Sequence, residues 1–532
     1  MGAVRTVSVM GDGGRAGDVL CRAIEERSGA HVVGEEGGEL SVELAVEPGV
    51  GAEGYAIADA ERGVRIVGGD RPGLLYGVGK FLHTSRCEEA GFVPGAWRGR
   101  SAPQCPVRGV YLAVHFGNYY ESASEAELET YLEELALWGL NAVVVHFPTW
   151  QFTGLDDAGA SANLARLRAV IGAAHRIGIR AGLLQAINQG YRGAPAEILA
   201  APYPDDWARR GTLGVNVCPG RADGRRYLLD LYQRLLDEFR DIGLDYLVAW
   251  PYDEGGCGCE LCWPWGARGL PSLFKELAAM ARSIYPGIKT VLSTWMYDAP
   301  PAGEWEGLIR LLAEGSTWLD YVMADGHEEF PEYPLEHGVP GGLPLLNFPE
   351  ISMWHMSPWG GYGANPLPGR LQMVWDRLPE DLAGGFPYSE GIYEDLNKVL
   401  CAQLYWRRER PTEEAVREYA AYEFSPDVAD DIVEAVRMLE LSHERGRDAP
   451  PRPSGAEKAF ELVRSADGRL PDRARARWRW RLFYLRALID AELARTGGKL
   501  EGDPLRQAFE ELRCLYHVTD ATLDRVRPPV EY

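Results

Sequence analysis

From Arg108 onward the chain repeats one unit eight times: a short apolar run ending in polar or aromatic residues, a loop, and an amphipathic helix. Parallel strands need crossover helices to bring the chain back, so eight such alternations direct it to a (β/α)8 TIM barrel. The first run is "RGVYLAVHF". It is followed by "SEAELETYLEELALWG", where Leu128, Tyr131, Leu132, Leu135 and Trp138 recur at helical spacing. Ser124, with Glu127 three residues on, has the capping-box pattern that starts such a helix. The later runs are "NAVVVHFP", "IRAGLLQAIN", "LDYLVAW", "KTVLSTW", "LDYVMAD", "LPLLNFPE" and "AGGFPYSE". The third unit makes a long excursion and returns through a strand-like "GVNVCPG".

The barrel is expected over residues 105–410. Ahead of it, residues 1–104 alternate short β-rich runs with glycine turns and close on the helix-like "GLLYGVGKFLHTS", a small α+β domain. Behind it, residues 411–532 carry amphipathic helices interrupted by "APPRPSG". This α-helical domain is expected to cap the barrel or to pair two copies as a homodimer. Its "RARARWRWRLFYLRALIDAEL" interleaves arginine with aromatics, but Asp+Glu 78 against Lys+Arg 55 gives a net charge of -23. Such a chain repels phosphate backbones and anionic lipid, so the stretch reads as packing and nucleic acid is excluded as a partner. No apolar run approaches the ~20 residues that span a bilayer, and "MGAVRTVSVMGDGG" lacks the apolar core of a signal peptide. No membrane partner and a cytoplasmic location are expected.

In this architecture the chemistry sits at the C-terminal strand ends. Those ends supply His115, His146, Asn188, the adjacent Asp253 and Glu254, Trp295 and Tyr297, Asp325, Glu350 and Glu390, with Trp354 and Trp359 after the seventh run. Acids for a glycosidic oxygen, amides and imidazoles for hydroxyls, and tryptophans for C–H faces together make a carbohydrate site. The sequence has neither a phosphate-binding glycine loop after a strand nor a serine nucleophile elbow. Neighbouring residues of extended chain point in different directions, so Asp253 and Glu254 are not placed to flank a sugar ring as acid and nucleophile. They divide the labour instead: one protonates the leaving oxygen, and the other orients a substrate group that is itself the nucleophile. The Asp253 charge favours the protonated form that Glu254 needs as an acid catalyst.

Cysteine supplies a second signal. Of nine, only Cys257, Cys259 and Cys262 cluster, in "GCGCELC" directly after the acid pair. Their spacing suits thiolates around one zinc ion, and Cys218, in "VNVCPG", is the expected fourth ligand because neighbouring strands bring their ends together. A closed four-thiolate zinc is structural and would pin the loop that carries the acids.

"EGYAIADAERGVRIVGGDRPGLLYGVGKFL" resembles the small domain that precedes the barrel in glycoside hydrolase family 20, the β-N-acetylhexosaminidases, and in the related family 67 α-glucuronidases. "PVRGVYLAVHF" resembles the Arg-Gly that opens the first barrel strand in the former, and Asp253-Glu254 matches the order and position of its Asp-Glu pair. The likeness spans roughly the first 400 residues as layout. It implies an exo-acting hydrolase of N-acetylhexosaminides, with Glu254 as general acid and Asp253 orienting the 2-acetamido group. The chain departs from family 20 in having Val-Ala-Trp-Pro-Tyr before the pair, with Gly255 and Gly256 after it, and in its cysteines. A family 67-like alternative keeps Glu254 as acid and uses Glu350 or Glu390 to activate water in an inverting reaction. The rival of another class is a non-catalytic carbohydrate-binding protein.

Overall fold

The computed structural model describes residues 2–34, 37–204, 215–253, 255–298, 303–325, 330–351, 364–441, 455–497, 499 and 502–516. The first hundred residues build a six-stranded mixed sheet in the order His31–Val33, Thr6–Met10, Leu40–Val46, Gly63–Gly68, Tyr55–Ala60, Gly99–Ser101. Helix Arg71–Thr84 packs on it, capped by Asp70, whose side chain accepts from the Gly73 amide at 2.7 Å. A second helix, Arg15–Arg27, stands where the sequence showed only turns and short strands. It buries Ala16, Val19, Leu20 and Ile24.

Eight parallel strands then close on themselves: β1 Val107–Leu112, β2 Ala142–Val145, β3 Arg180–Ala186, β4 Tyr246–Trp250, β5 Lys289–Ser293, β6 Tyr321–Asp325, β7 Leu345–Phe348, and β8 in two pieces, Gly384–Gly385 and Tyr388–Ser389. The closure is β8 to β1, with Tyr388 beside Tyr111, and β1 to β2, with Ala142 beside Gly109. Phe386-Pro387 divides β8, since proline offers no amide to a ladder. The capping box at Ser124 and Glu127 is formed, and the helix it starts buries Leu128, Tyr131, Leu132 and Leu135 against the barrel. Between β3 and the next helix, the described part of the expected return strand, Val215 to Gly220, is no strand: it makes only isolated bridges, Gln189 to Asn216 and Leu199 to Val217.

Past the barrel the described residues are helical, including Thr412–Glu423, Ala429–Leu441, Ala456–Asp467, Trp478–Thr496 and Asp503–Leu515. Helix Trp478–Thr496 is buried on several sides, which explains its mixed sequence. Arg479 is buried against Asp395 at 2.7 Å, and Trp480 is fully buried. The arginine–aromatic mixture is therefore core. Among the described residues no helix is long and apolar enough to cross a membrane.

Candidate active site

Alternate side chains of a strand enter the barrel. The interior is filled by Tyr111, Val144, Leu184, Val248, Val291, Met323, Leu346, Phe348 and Phe386 among others. Carried one step further toward the C-terminal ends, the same alternation puts His146 of β2, Trp250 of β4, Asp325 of β6, Glu350 after β7 and Glu390 after β8 on the inward face. Glu350 lies in register with Tyr388 across the β7–β8 edge. Both glutamates are nearly buried, while Asp325 and Asp253 are half-buried.

Level with these acids lies an aromatic cluster, of which strand-end reading found Trp295: Phe348 is in register with Asp325 and Tyr388 with Glu350. Trp250 stacks on Trp295 at 5.7 Å and meets Phe348 at 4.8 Å; Tyr111 stacks on Tyr388 at 5.4 Å. The period-two pattern of the strands would have located Trp250, Phe348 and Tyr111, because each is two residues beyond a core position. His115 and His146 meet edge to face at 5.0 Å. The His146 Nδ1 donates to the Leu184 carbonyl at 3.0 Å, which fixes the ring and makes Nε2 the acceptor of the neutral tautomer.

The turn after β4 is held from many directions. The indole of the fully buried Trp265 donates to the Pro251 carbonyl at 2.5 Å, Tyr252 bonds the Glu304 carboxylate, and Tyr203 donates to the Gly255 carbonyl at 2.5 Å. Asp253 adopts φ 67, a left-handed backbone that aspartate tolerates better than most residues and that accumulates at functional turns. Gly256 has φ 123, and a Cβ there would stand 2.2 Å from the Tyr203 hydroxyl oxygen, so glycine is required.

Two expected substrate contacts are elsewhere. Asn188 is fully buried. Its amide donates to the carbonyls of Val217 at 3.1 Å and Gly256 at 2.9 Å and accepts from the Gly256 amide at 2.9 Å, so it ties the β4 turn down and does not face the mouth. Tyr297 is buried with its hydroxyl on the Gly266 carbonyl at 2.7 Å. Neither role was visible from position alone. Glu254, Trp354 and Trp359 lie outside the described residues.

Around Glu390 the main chain is bound throughout. The Glu390 amide donates to Glu394 at 3.1 Å, and its carbonyl accepts from Asn118 at 2.6 Å. The next carbonyl, of Gly391, accepts from Tyr120 at 2.8 Å and from the Lys398 ammonium at 2.7 Å. Tyr388 donates to the Glu390 carboxylate. Burial lowers the Lys398 ammonium to about 8 against the pull of Glu394 and Asp395.

The four cysteines converge. Cys218, Cys257, Cys259 and Cys262 are all free thiols whose sulfurs lie within 4.8 Å of one another, positioned to hold a metal ion. Cys218 Sγ is 3.5 Å from Cys259 Sγ and 3.9 Å from Cys262 Sγ. A tetrahedral ion at the usual Zn–S length requires sulfurs about 3.8 Å apart. Hydrogen bonds from the Cys257 and Cys262 thiols hold Cys218 well below the usual thiol range, and Cys218 in turn pushes Cys257 above it.

No family model matches the sequence, and neither does any curated protein. Solved structures do match in fold. A family GH89 enzyme from Clostridium perfringens, in complex with its substrate GlcNAc-α-1,4-galactose, superposes with TM-score 0.61 at 14% identity over 95% of this chain and 65% of its own. A family GH115 4-O-methyl-α-glucuronidase with specificity for decorated arabinogalactans gives 0.58 at 12% over 99% and 78%. The GH20 β-N-acetylhexosaminidase of Streptomyces coelicolor gives 0.50 at 16% over 85% and 96%. At such identities the likeness is one of fold, and that fold is the barrel with flanking parts that the sequence led us to expect.

Proposed function

We propose that the chain is an exo-acting glycoside hydrolase working at the C-terminal mouth of its barrel on N-acetylhexosaminides, by a substrate-assisted retaining reaction. The observation that carries this reading is a mouth where acids from three strand ends and the Asp253 turn stand with the packed rings of Trp250, Trp295 and Phe348. Aromatic faces take the C–H faces of a sugar while carboxyls act on its oxygens. Structures of the same fold that carry glycosidase names add support.

In this scheme Glu254 gives its proton to the leaving glycosidic oxygen as the acetamido carbonyl oxygen attacks the anomeric carbon. Asp253 accepts from the acetamido N–H and steadies the charge that develops on it. Water then attacks the anomeric carbon and yields its proton to Glu254, so configuration is retained. A zinc ion held by Cys218, Cys257, Cys259 and Cys262 would brace the turn, with all four positions filled by thiolate and no part in bond cleavage. Glu350 and Glu390, both beside Tyr388 at the ends of neighbouring strands, favour one second reading, an inverting hydrolase in which one of them activates water.

Assay of the purified chain on chromogenic glycosides tests the proposal. The expected result is release from an N-acetylhexosaminide, inhibited by a thiazoline mimic, with the product anomer unchanged by proton NMR. An inverted product would select the second reading. Sugar binding without turnover on any substrate would leave a carbohydrate-binding protein.

A further inference from the structure

A cavity of about 470 Å³ opens on the side of the barrel opposite the mouth. It lies between the helix Arg71–Thr84, the turn leading into β2 and the stretch that follows the last barrel helix, where the sheet of the first hundred residues meets the barrel. Its size falls within the roughly 300–1,000 Å³ of small-molecule sites, and clefts between packed modules are where such sites recur.

The walls have two kinds of chemistry. One is aromatic: Tyr55 meets Trp97 at 5.7 Å and Trp406 at 5.6 Å, giving a continuous ring surface. The other is ionic. Lys80 and Arg410 share the carboxylate of Glu418 at 2.8 and 2.5 Å, and with Arg407, Glu409 and Glu414 the lining holds three cations and three carboxylates. A balanced set exerts little net field on a charged ligand, yet it offers both donors and acceptors at close quarters. The Lys80 ammonium hydrogen-bonds the two oxygens of Glu418 and lies 5.8 Å from the centroid of the Trp97 ring, so it stands at the junction of the ionic and the aromatic wall with a third N–H to offer. At the inner wall His83 stacks on Trp138 at 3.5 Å and is buried, with its Nε2 lacking a hydrogen-bond partner among the described residues. Buried polar atoms in native proteins are ordinarily satisfied, so this one calls for an explanation.

We propose that this cavity is a second carbohydrate site that takes one or two uncharged sugar residues, stacked on Trp97 and hydrogen-bonded by the Lys80–Glu418–Arg410 cluster. Aromatic faces beside paired charges suit a ring with C–H faces and many hydroxyls. Charge balance disfavours a phosphate, a nucleotide or a uronic acid. The site lies away from the mouth, so it would retain the protein on a glycan without taking part in bond cleavage. The inference stands on the cavity and is independent of the reaction proposed for the mouth.

The test is calorimetric titration of the full chain carrying Glu254→Gln with N-acetylglucosamine, galactose, glucose and their disaccharides, with glucuronic acid and glucose 6-phosphate as charged controls. A neutral sugar is expected to occupy a site whose Kd rises by about tenfold or more in Trp97→Ala and in Lys80→Met, while any site at the mouth is unaffected. A single site lost in both variants would uphold the cavity while failing the mouth. The inference is overturned if no neutral sugar binds, if all binding survives both variants, or if only the charged controls depend on Trp97 and Lys80. Thermal melting identifies a variant that has failed to fold, and Lys80→Met, with Arg410 still on Glu418, decides the matter if Trp97→Ala has.

Discussion

The two ends of the barrel use polar residues in opposite ways. At the base, charged side chains pair with one another besides binding main chain: Arg108, fully buried at the start of β1, pairs with Glu53 at 2.7 Å and donates to the Gly139 and Cys105 carbonyls, and Asp320 takes Arg282 at 2.8 Å and Lys289 at 3.1 Å. Burial would raise Asp320, but the Thr290 amide and these two cations overcome it and hold the carboxyl low. At the mouth the bonds fall on the main chain around the acids, as the clamps on Gly256 and around Glu390 show. Side chains that saturate each other stabilise a fold; a fixed backbone aims a side chain at something else. The same architecture thus has a face built for stability and a face built for chemistry.

That contrast is sharpest if each face can be damaged separately. Glu254→Gln is expected to lower kcat about a thousandfold, the scale of a lost general acid, with an unchanged urea midpoint. At the base, Arg108→Met should cost about 3 kcal/mol in urea unfolding, because Glu53 loses its nearest cation and keeps only Asn141 and the more distant Arg180, while the Gly139 and Cys105 carbonyls lose their buried donor; kcat of the folded fraction stays at the wild-type value. Gly256→Ala sits between the two: its Cβ would collide with Tyr203 at a left-handed backbone, so a loss of about 1–2 kcal/mol should accompany a fall in kcat. Chelation of a metal from the four cysteines should reduce kcat about tenfold by loosening the turn, and stoichiometric zinc should restore it.

The smallest effect concerns pH. Burial raises Glu418, but Arg410 and Lys80 outweigh it and leave its folded-state pKa below the unfolded value of about 4.3. Its contribution is therefore present above about pH 4.3 and lost as pH falls through the lower, folded value. The urea midpoint of Glu418→Gln should change less between pH 6 and pH 3.5 than that of the wild type, and equal slopes would remove Glu418 from the account.

The barrel was legible because each strand ends its apolar run in chemistry-bearing residues; Cys218 does join the other cysteines, but from a stretch held by isolated bridges and not from the strand end expected. Helix Arg15–Arg27 was not. Its buried positions have helical spacing, but it begins at Gly14, which has no side chain to cap it, amid glycine turns. Asn188 and Tyr297 looked like ligands because they stand at strand ends. What they bind is main chain, 68 residues away for the bond from Asn188 to Gly256 and 31 for that from Tyr297 to Gly266, and no local pattern records such a contact. Trp250 closes its own apolar run and was masked by the acid pair Asp253-Glu254 that follows it.

The central claim, that the β4 turn presents an acid to a sugar bound over the tryptophans, is tested most directly by crystals of the Glu254→Gln chain soaked with N-acetylglucosamine. The account predicts a pyranose ring over Trp250 and Trp295, with Asp253 within hydrogen-bond distance of its acetamido nitrogen and residue 254 facing the anomeric oxygen. A mouth left empty at saturating sugar, or residue 254 turned to bulk solvent, would contradict it.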